Sequence, residues 1–120
     1  MPTLQGLVEN LKNEGWLKTE KIIEAFLKIK REDFVQDKDL SYYDTALEIG
    51  NGQTISQPLV VAFMLELLQP QAGEKILDIG SGSGWTTALL AYCVGENGKV
   101  IAVEIIPELK EFGENNVKKY

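Results

Sequence analysis

Residues 73–104, GEKILDIGSGSGWTTALLAYCVGENGKVIAVE, decide the reading of this chain. Lys75 to Ile79 is an apolar run of strand length. Gly80-Ser81-Gly82-Ser83-Gly84 then supplies small residues whose backbone can turn sharply and lie against a ligand. Trp85 to Val94 is apolar-rich and fits a helix whose first free N–H groups face that turn. Val100 to Val103 reads as a second buried strand with Glu104 at its carboxyl end. A strand, glycine-rich turn, helix and strand, with an acid roughly 20 residues beyond the turn, is half of a doubly wound α/β sheet in which the acid holds ribose hydroxyls. The ligand predicted here therefore contains a ribose.

Glycine spacing narrows the ligand. A dinucleotide fingerprint, Gly-x-Gly-x-x-Gly, would begin at Gly80 and require glycine where Trp85 stands, so that register fails. The spacing Asp78-x-Gly80-x-Gly82-x-Gly84 instead resembles motif I of the S-adenosylmethionine-dependent methyltransferases, in which the turn accommodates the methionine part of the cofactor. A glycine–serine turn that merely connects strand to helix is the bland alternative. It does not account for three spaced glycines together with the terminal acid.

With 120 residues and 44% apolar composition, the chain is large enough for a core and amounts to one domain or less. Open doubly wound sheets have more strands than the two visible in residues 73–104, so either the fold is unusually small or the chain is a fragment. Eighteen acids against twelve bases give a net charge of −6, and no basic stripe supplies the phosphate neutralisation that nucleic acid requires. A nucleic-acid partner is thus disfavoured. The N-terminal stretch MPTLQGLVENLKNEG lacks an apolar run of signal-peptide length, and the other apolar runs are interrupted, so no membrane partner and a cytoplasmic location are expected. Histidine is absent and Cys93 is the single cysteine, which removes zinc sites and Cys/His nucleophile pairs. Cys93 reads as a buried helix residue rather than a reactive thiolate.

The N-terminal part reads as helical. Leu4, Leu7, Val8 and Leu11 recur at helical spacing until Gly15, and Thr19 is placed to cap a second helix with Ile22, Ile23, Phe26 and Leu27 on its apolar face. Residues 30–43 have no sustained period, and Arg31 within them defaults to a solvated charge. Leu47 to Ser56 contains the turn dipeptide Asn51-Gly52 and runs into Pro58, which can open a helix reaching Leu68. Gln53, Thr54, Ser56 and Gln57 therefore sit at a loop-to-helix junction. Two readings of Ser56 stay open: a helix cap, or a hydroxyl that contacts substrate. Glu108 to Tyr120 follows as the next crossover helix, with Lys118 and Lys119 at its end.

Taken together, REDFV (31–35), Tyr43-Asp44, IGNGQTISQP (49–58), VAFMLELL (61–68), LDIGSGSGWTTALLA (77–91) and VIAVE (100–104) resemble protein-L-isoaspartate (D-aspartate) O-methyltransferases, in their N-terminal portion. The stretch Gly50 to Pro58 is the specific part, because the glycine turn is shared by all class I methyltransferases. The resemblance implies a Rossmann-like, class I fold preceded by N-terminal helices: residues 1–57 as helices and substrate-side loop, 58–120 as the first half of the cofactor-binding fold. It also implies S-adenosyl-L-methionine as cofactor and transfer of its methyl group to the α-carboxylate of L-isoaspartyl residues in damaged proteins. Ser56 matches the proposed active-site serine. Gln53, Thr54, Ile55 and Ser56 match the segment lining the cofactor pocket, Asp78, Gly80, Ser81, Gly82, Ser83 and Gly84 the cofactor turn, and Glu104 the ribose-binding acid. Leu59 and Val61 stand where many members have histidine, and Lys30-Arg31 replaces Pro-Arg. The alternatives are a cofactor-binding module without turnover and a small-molecule methyltransferase of the same fold. Helices left without partners by a half-sheet, around Val61 to Leu68 and Leu89 to Val94, are expected to expose apolar surface and favour association.

Overall fold

Local chemistry sets the element order in the computed structural model, which describes residues 2–120. Thr3 caps α1 (Leu4–Asn13) by accepting the Gly6 N–H, and Gly15, at a φ of 83°, turns the chain toward α2 (Glu20–Lys28). Two 3-10 turns, Arg31–Phe34 and Lys38–Leu40, fill the aperiodic stretch. A hairpin of β1 (Leu47–Gly50) and β2 (Gln53–Ile55) follows; Asn51 and Gly52 both take positive φ, the geometry of a two-residue primed turn. Next come α3 (Pro58–Leu68), β3 (Lys75–Ile79), α4 (Trp85–Val94), β4 (Lys99–Val103) and α5 (Pro107–Val117).

Strands β3 and β4 pair in parallel with an unbroken register from Lys75 opposite Lys99 to Ile79 opposite Val103, and α4 makes the crossover between them. The strand–turn–helix–strand reading thus holds, with the hairpin added as a second two-stranded sheet. One hydrophobic cluster joins Leu7, Val8 and Leu11 of α1, Ile22 and Phe26 of α2, Ile49 and Ile55 of the hairpin, Val61 and Leu65 of α3, Leu89 of α4 and Leu109 of α5. The N-terminal helices therefore share a core with the glycine-turn unit.

Four readings are corrected or decided by the structure. Leu89, Leu90, Cys93 and Val94 are not left without partners: α4 packs on α2, α5 and both parallel strands, and all four side chains are buried. The bare apolar surface lies on the opposite side of the sheet, at Leu77, Ile79, Ile101 and Val103, and on Met64, Leu67 and Leu68 of α3. Neither Ser56 nor Gln57 caps α3 with its side chain; Asp44 does so from a distance, its Oδ1 accepting the Leu59 N–H at 2.9 Å. Helix α5 ends at Val117, so Lys118 and Lys119 lie beyond it, and Lys119 Nζ donates to the Asp33 carbonyl. Thr19 stands at the start of α2 as read, but its hydroxyl donates to Glu66 of α3 and does not cap its own helix.

Candidate active site

The turn after β3 is shaped by its glycines. Gly80, Gly82 and Gly84 have φ of 75°, 53° and 91°, values that side chains with a β-carbon rarely adopt. The N–H groups of Gly80 and Ser81 donate to the Val103 carbonyl, and the Gly84 N–H to the Ser81 carbonyl, so the loop is fastened to the end of β4 and to itself. Space is decisive at Gly84, where a β-carbon would lie 2.8 Å from Val117 and 3.0 Å from the Gly113 carbonyl. Helix α5 reinforces the turn: buried Asn116 donates from Nδ2 to the Ser83 carbonyl at 3.0 Å.

Glu104 closes the turn from the far strand. Its Oε1 accepts the Gly82 N–H at 2.8 Å and its Oε2 the Ile106 N–H at 3.1 Å. The acid predicted to hold ribose hydroxyls therefore sits against the turn, with lone pairs still free on each oxygen. Asp78 accepts from the Thr87 hydroxyl at 2.6 Å; burial raises its pKa, and the Thr87 hydrogen bond holds part of that rise back.

The hairpin forms the facing wall. Ile49 reaches within 3.2 Å of where a Gly82 β-carbon would stand, so the two walls touch at that point. Between them lies a small cleft of about 60 Å³ lined by Thr54, Ile55, Ser56, Gly80, Ser81, Gly82, Ser83, Trp85 and Thr86. A wider cleft of about 310 Å³ opens on the other side of the turn, lined in part by Ser81, Gly84, Thr87, Glu104, Lys110 and Lys118. A third, of about 380 Å³, runs from Ser56 and Gly80 past Asp78 along α3. The structure thus gathers Thr54, Ile55 and Ser56 with the glycine turn, puts Glu104 and Asp78 in flanking clefts, and leaves Gln53 exposed on β2, outside all three. Sequence reading passed over Arg31, Asp44, Trp85, Thr87 and Asn116, all of which border or brace these clefts. Arg31, Asp44, Trp85 and Thr87 stood inside stretches that carry the family resemblance, though no role was read for them, and Asn116 lay outside every such stretch.

The sequence model of the family described as protein-L-isoaspartate (D-aspartate) O-methyltransferase matches residues 3–120. This chain belongs to that family. Among curated relatives, the protein-L-isoaspartate O-methyltransferase of Methanopyrus kandleri is 49% identical over 117 residues, covering 96% of this chain and 52% of the relative. That of Aeropyrum pernix is 47% identical over 115 residues, covering 94% of this chain and 44% of the relative. A solved Plasmodium falciparum structure, described as a protein-L-isoaspartate O-methyltransferase in complex with S-adenosyl-L-homocysteine, superposes with a TM-score of 0.90 at 30% identity, covering 99% of this chain and 56% of that one. The fold is accordingly the first part of a class I methyltransferase fold. The chain spans about half the length of the curated relatives it matches.

Proposed function

We propose that this isoaspartyl methyltransferase-family chain binds S-adenosyl-L-methionine at the Gly80–Gly84 turn and contributes to methylating the α-carboxylate of L-isoaspartyl residues in damaged cytoplasmic proteins. The observation that supports it best is the meeting of Thr54–Ser56 with the glycine turn across one small cleft. The fit to the cofactor rests on shape and polarity. A β-carbon at Gly80 would meet nothing within 4 Å, so its main chain is open to close approach, and Glu104 presents a carboxylate beside the turn. Gly80, Gly82 and Gly84 would cradle the methionine part, and Glu104 the ribose hydroxyls.

When bound, the cofactor supplies a methyl group on a positively charged sulfur. An ionised substrate carboxylate is already a nucleophile, so a carbon–oxygen bond forms as the carbon–sulfur bond breaks, and no proton moves. A chain without histidine loses nothing by this. What the residues have to provide is alignment and exclusion of water. Ser56, exposed at the mouth of the cleft, can donate a hydrogen bond that orients the carboxylate, while Val61 adds an apolar side chain to the lining of the neighbouring cleft along α3.

A second reading, a module that binds cofactor without turnover, is supported by the bare outer face of the β3–β4 sheet. Calorimetry with S-adenosylmethionine followed by methyl transfer to an isoaspartyl peptide separates the two. Binding with transfer is the expected result. Binding without transfer selects the module, and no binding overturns both.

A further inference from the structure

Among the described residues, Arg31 is the one buried cation beside the candidate cleft, and the proposed reaction leaves it without a part. It opens the first 3-10 turn, is 1% exposed, and has no carboxylate in salt-bridge contact among the described residues. Burial lowers its pKa to about 10, with Asp44 and Tyr42 pulling the other way, so it stays charged at neutral pH. Backbone carbonyls take the place of a counter-ion. Nη1 donates to Ser41 at 2.6 Å and Tyr43 at 3.4 Å; Nη2 donates to Thr45 at 2.8 Å and to Ser56 at 3.2 Å. The guanidinium carbon also lies 5.1 Å from the ring centroid of Trp85, the first residue of α4 after the glycine turn.

One planar group therefore fixes three separate pieces: the 41–45 loop, the Ser56 main chain and the start of α4. Ser56 occupies the gap between the end of β2 and Pro58, where neither strand nor helix secures it. A buried charge is a poor device for stability alone, since an apolar side chain of similar volume commonly serves as well or better. A planar fork that aims donors at carbonyls on both sides does what an apolar residue cannot. We propose that Arg31 is a positioning residue for methyl transfer, holding the Ser56 main chain against Trp85 and so setting the reach of the Ser56 hydroxyl toward the cofactor turn.

This inference rests on the proposed function, and the test keeps the two apart. Arg31→Lys, Arg31→Met, Ser56→Ala and the double variant Arg31→Lys/Ser56→Ala are made in the full chain. Single-turnover methyl transfer to an isoaspartyl peptide is read alongside amide hydrogen exchange. Arg31→Lys, which keeps the charge but loses the fork, is expected to slow transfer about tenfold in the presence of Ser56 and to have little further effect once Ser56 is alanine. Equal slowing in both backgrounds, or none in either, overturns the role. If the unaltered chain transfers no methyl group, the proposed function fails on its own terms and exchange judges Arg31. The Thr45 and Leu59 amides should then exchange about tenfold faster in Arg31→Lys and Arg31→Met while α1 and α5 keep their protection. A uniform rise along the chain, or no rise at those amides, overturns the inference.

Discussion

On one side of the candidate cleft, Gly80–Gly84 takes its shape from its own positive φ angles and from bonds to Val103 and Glu104 within the β3–α4–β4 unit. On the other side, Thr54–Ser56 has little local support beyond a short hairpin. Its carbonyl at Ser56 is held by Arg31 across 25 residues, and the helix that follows is capped by Asp44 across 15. One wall is thus written into a contiguous motif and the other is assembled from distant side chains. Substitutions in the first should act through backbone conformation. Those in the second should act through loss of a distant hydrogen bond.

The largest effect is expected where the walls meet. Gly82 has a φ of 53°, and a β-carbon there would stand 3.2 Å from Ile49 Cδ1. Gly82→Val should cost about 1–2 kcal/mol of fold stability for the left-handed backbone. It should weaken S-adenosylmethionine binding by at least about 100-fold, roughly 2.7 kcal/mol, by displacing the turn. Calorimetry on protein shown to be folded by circular dichroism checks this, and tight binding by the folded variant would dissolve the idea of a conformation-bound wall.

Glu104 tests the same wall through charge. Removing a carboxylate that accepts two N–H groups and is proposed to accept ribose hydroxyls should weaken cofactor binding by about 1.5–3 kcal/mol in Glu104→Ala. Glu104→Gln should lose less, because the amide oxygen still accepts. Since Gly82 and Ile106 also lose an acceptor, stability should fall as well. Unchanged affinity in Glu104→Ala would remove the residue from the site.

Glu66 probes the distant support of the opposite wall. From α3 it accepts the Lys18 and Thr19 N–H groups, each at 2.8 Å, and the Thr19 hydroxyl, binding the helix that follows Ser56 to the start of α2. Burial alone would raise its pKa, but these bonds and one from Gln69 outweigh it and leave the pKa below the ordinary 4.5. A lowered folded pKa means that the stabilisation is complete above the unfolded value and is lost as pH falls through the folded one. Asp78, with a raised pKa, works in the opposite sense and is relieved on acidification. The difference between wild type and Glu66→Gln isolates the Glu66 share. It should be about 1–2 kcal/mol at pH 7, allowing for partial exposure, and shrink below pH 4.5 in denaturant titrations. A difference independent of pH would show that the carboxylate charge is not what holds α3.

The same contrast explains what could be read in advance. The glycine turn, its flanking strand and helix, and Glu104 were legible because conformation and spacing are properties of consecutive residues. The helices were legible for the same reason. Arg31 was not, because one arginine in an aperiodic stretch is most often a solvated charge, and its burial follows only when residues 41–45, 56 and 85 close around it. The cap of α3 was not legible, because Ser56 and Gln57 stand at the helix start while Asp44, which supplies it, comes from another loop. Burial of Leu89 to Val94 depends on α2 and α5 arriving at α4 from both ends of the chain, which no local pattern records.

Ser56 gives the smallest expected change in stability and the sharpest division between readings. A side-chain cap would make Ser56→Ala cost about 1 kcal/mol. In the structure the residue is exposed, the N-cap position belongs to Gln57, and Asp44 accepts the Leu59 N–H that a local cap might have taken. The polar contact that restrains Ser56 passes through its carbonyl to Arg31, which alanine preserves. Ser56→Ala should therefore change unfolding free energy by no more than about 0.5 kcal/mol. If the hydroxyl orients the substrate carboxylate, transfer per folded molecule should nevertheless fall about tenfold, a loss of roughly 1.4 kcal/mol in transition-state stabilisation. Chemical denaturation and single-turnover transfer on the same preparations give both numbers. A stability loss matched by an equal loss of rate would return Ser56 to a structural role and leave the hairpin wall with shape but no chemistry.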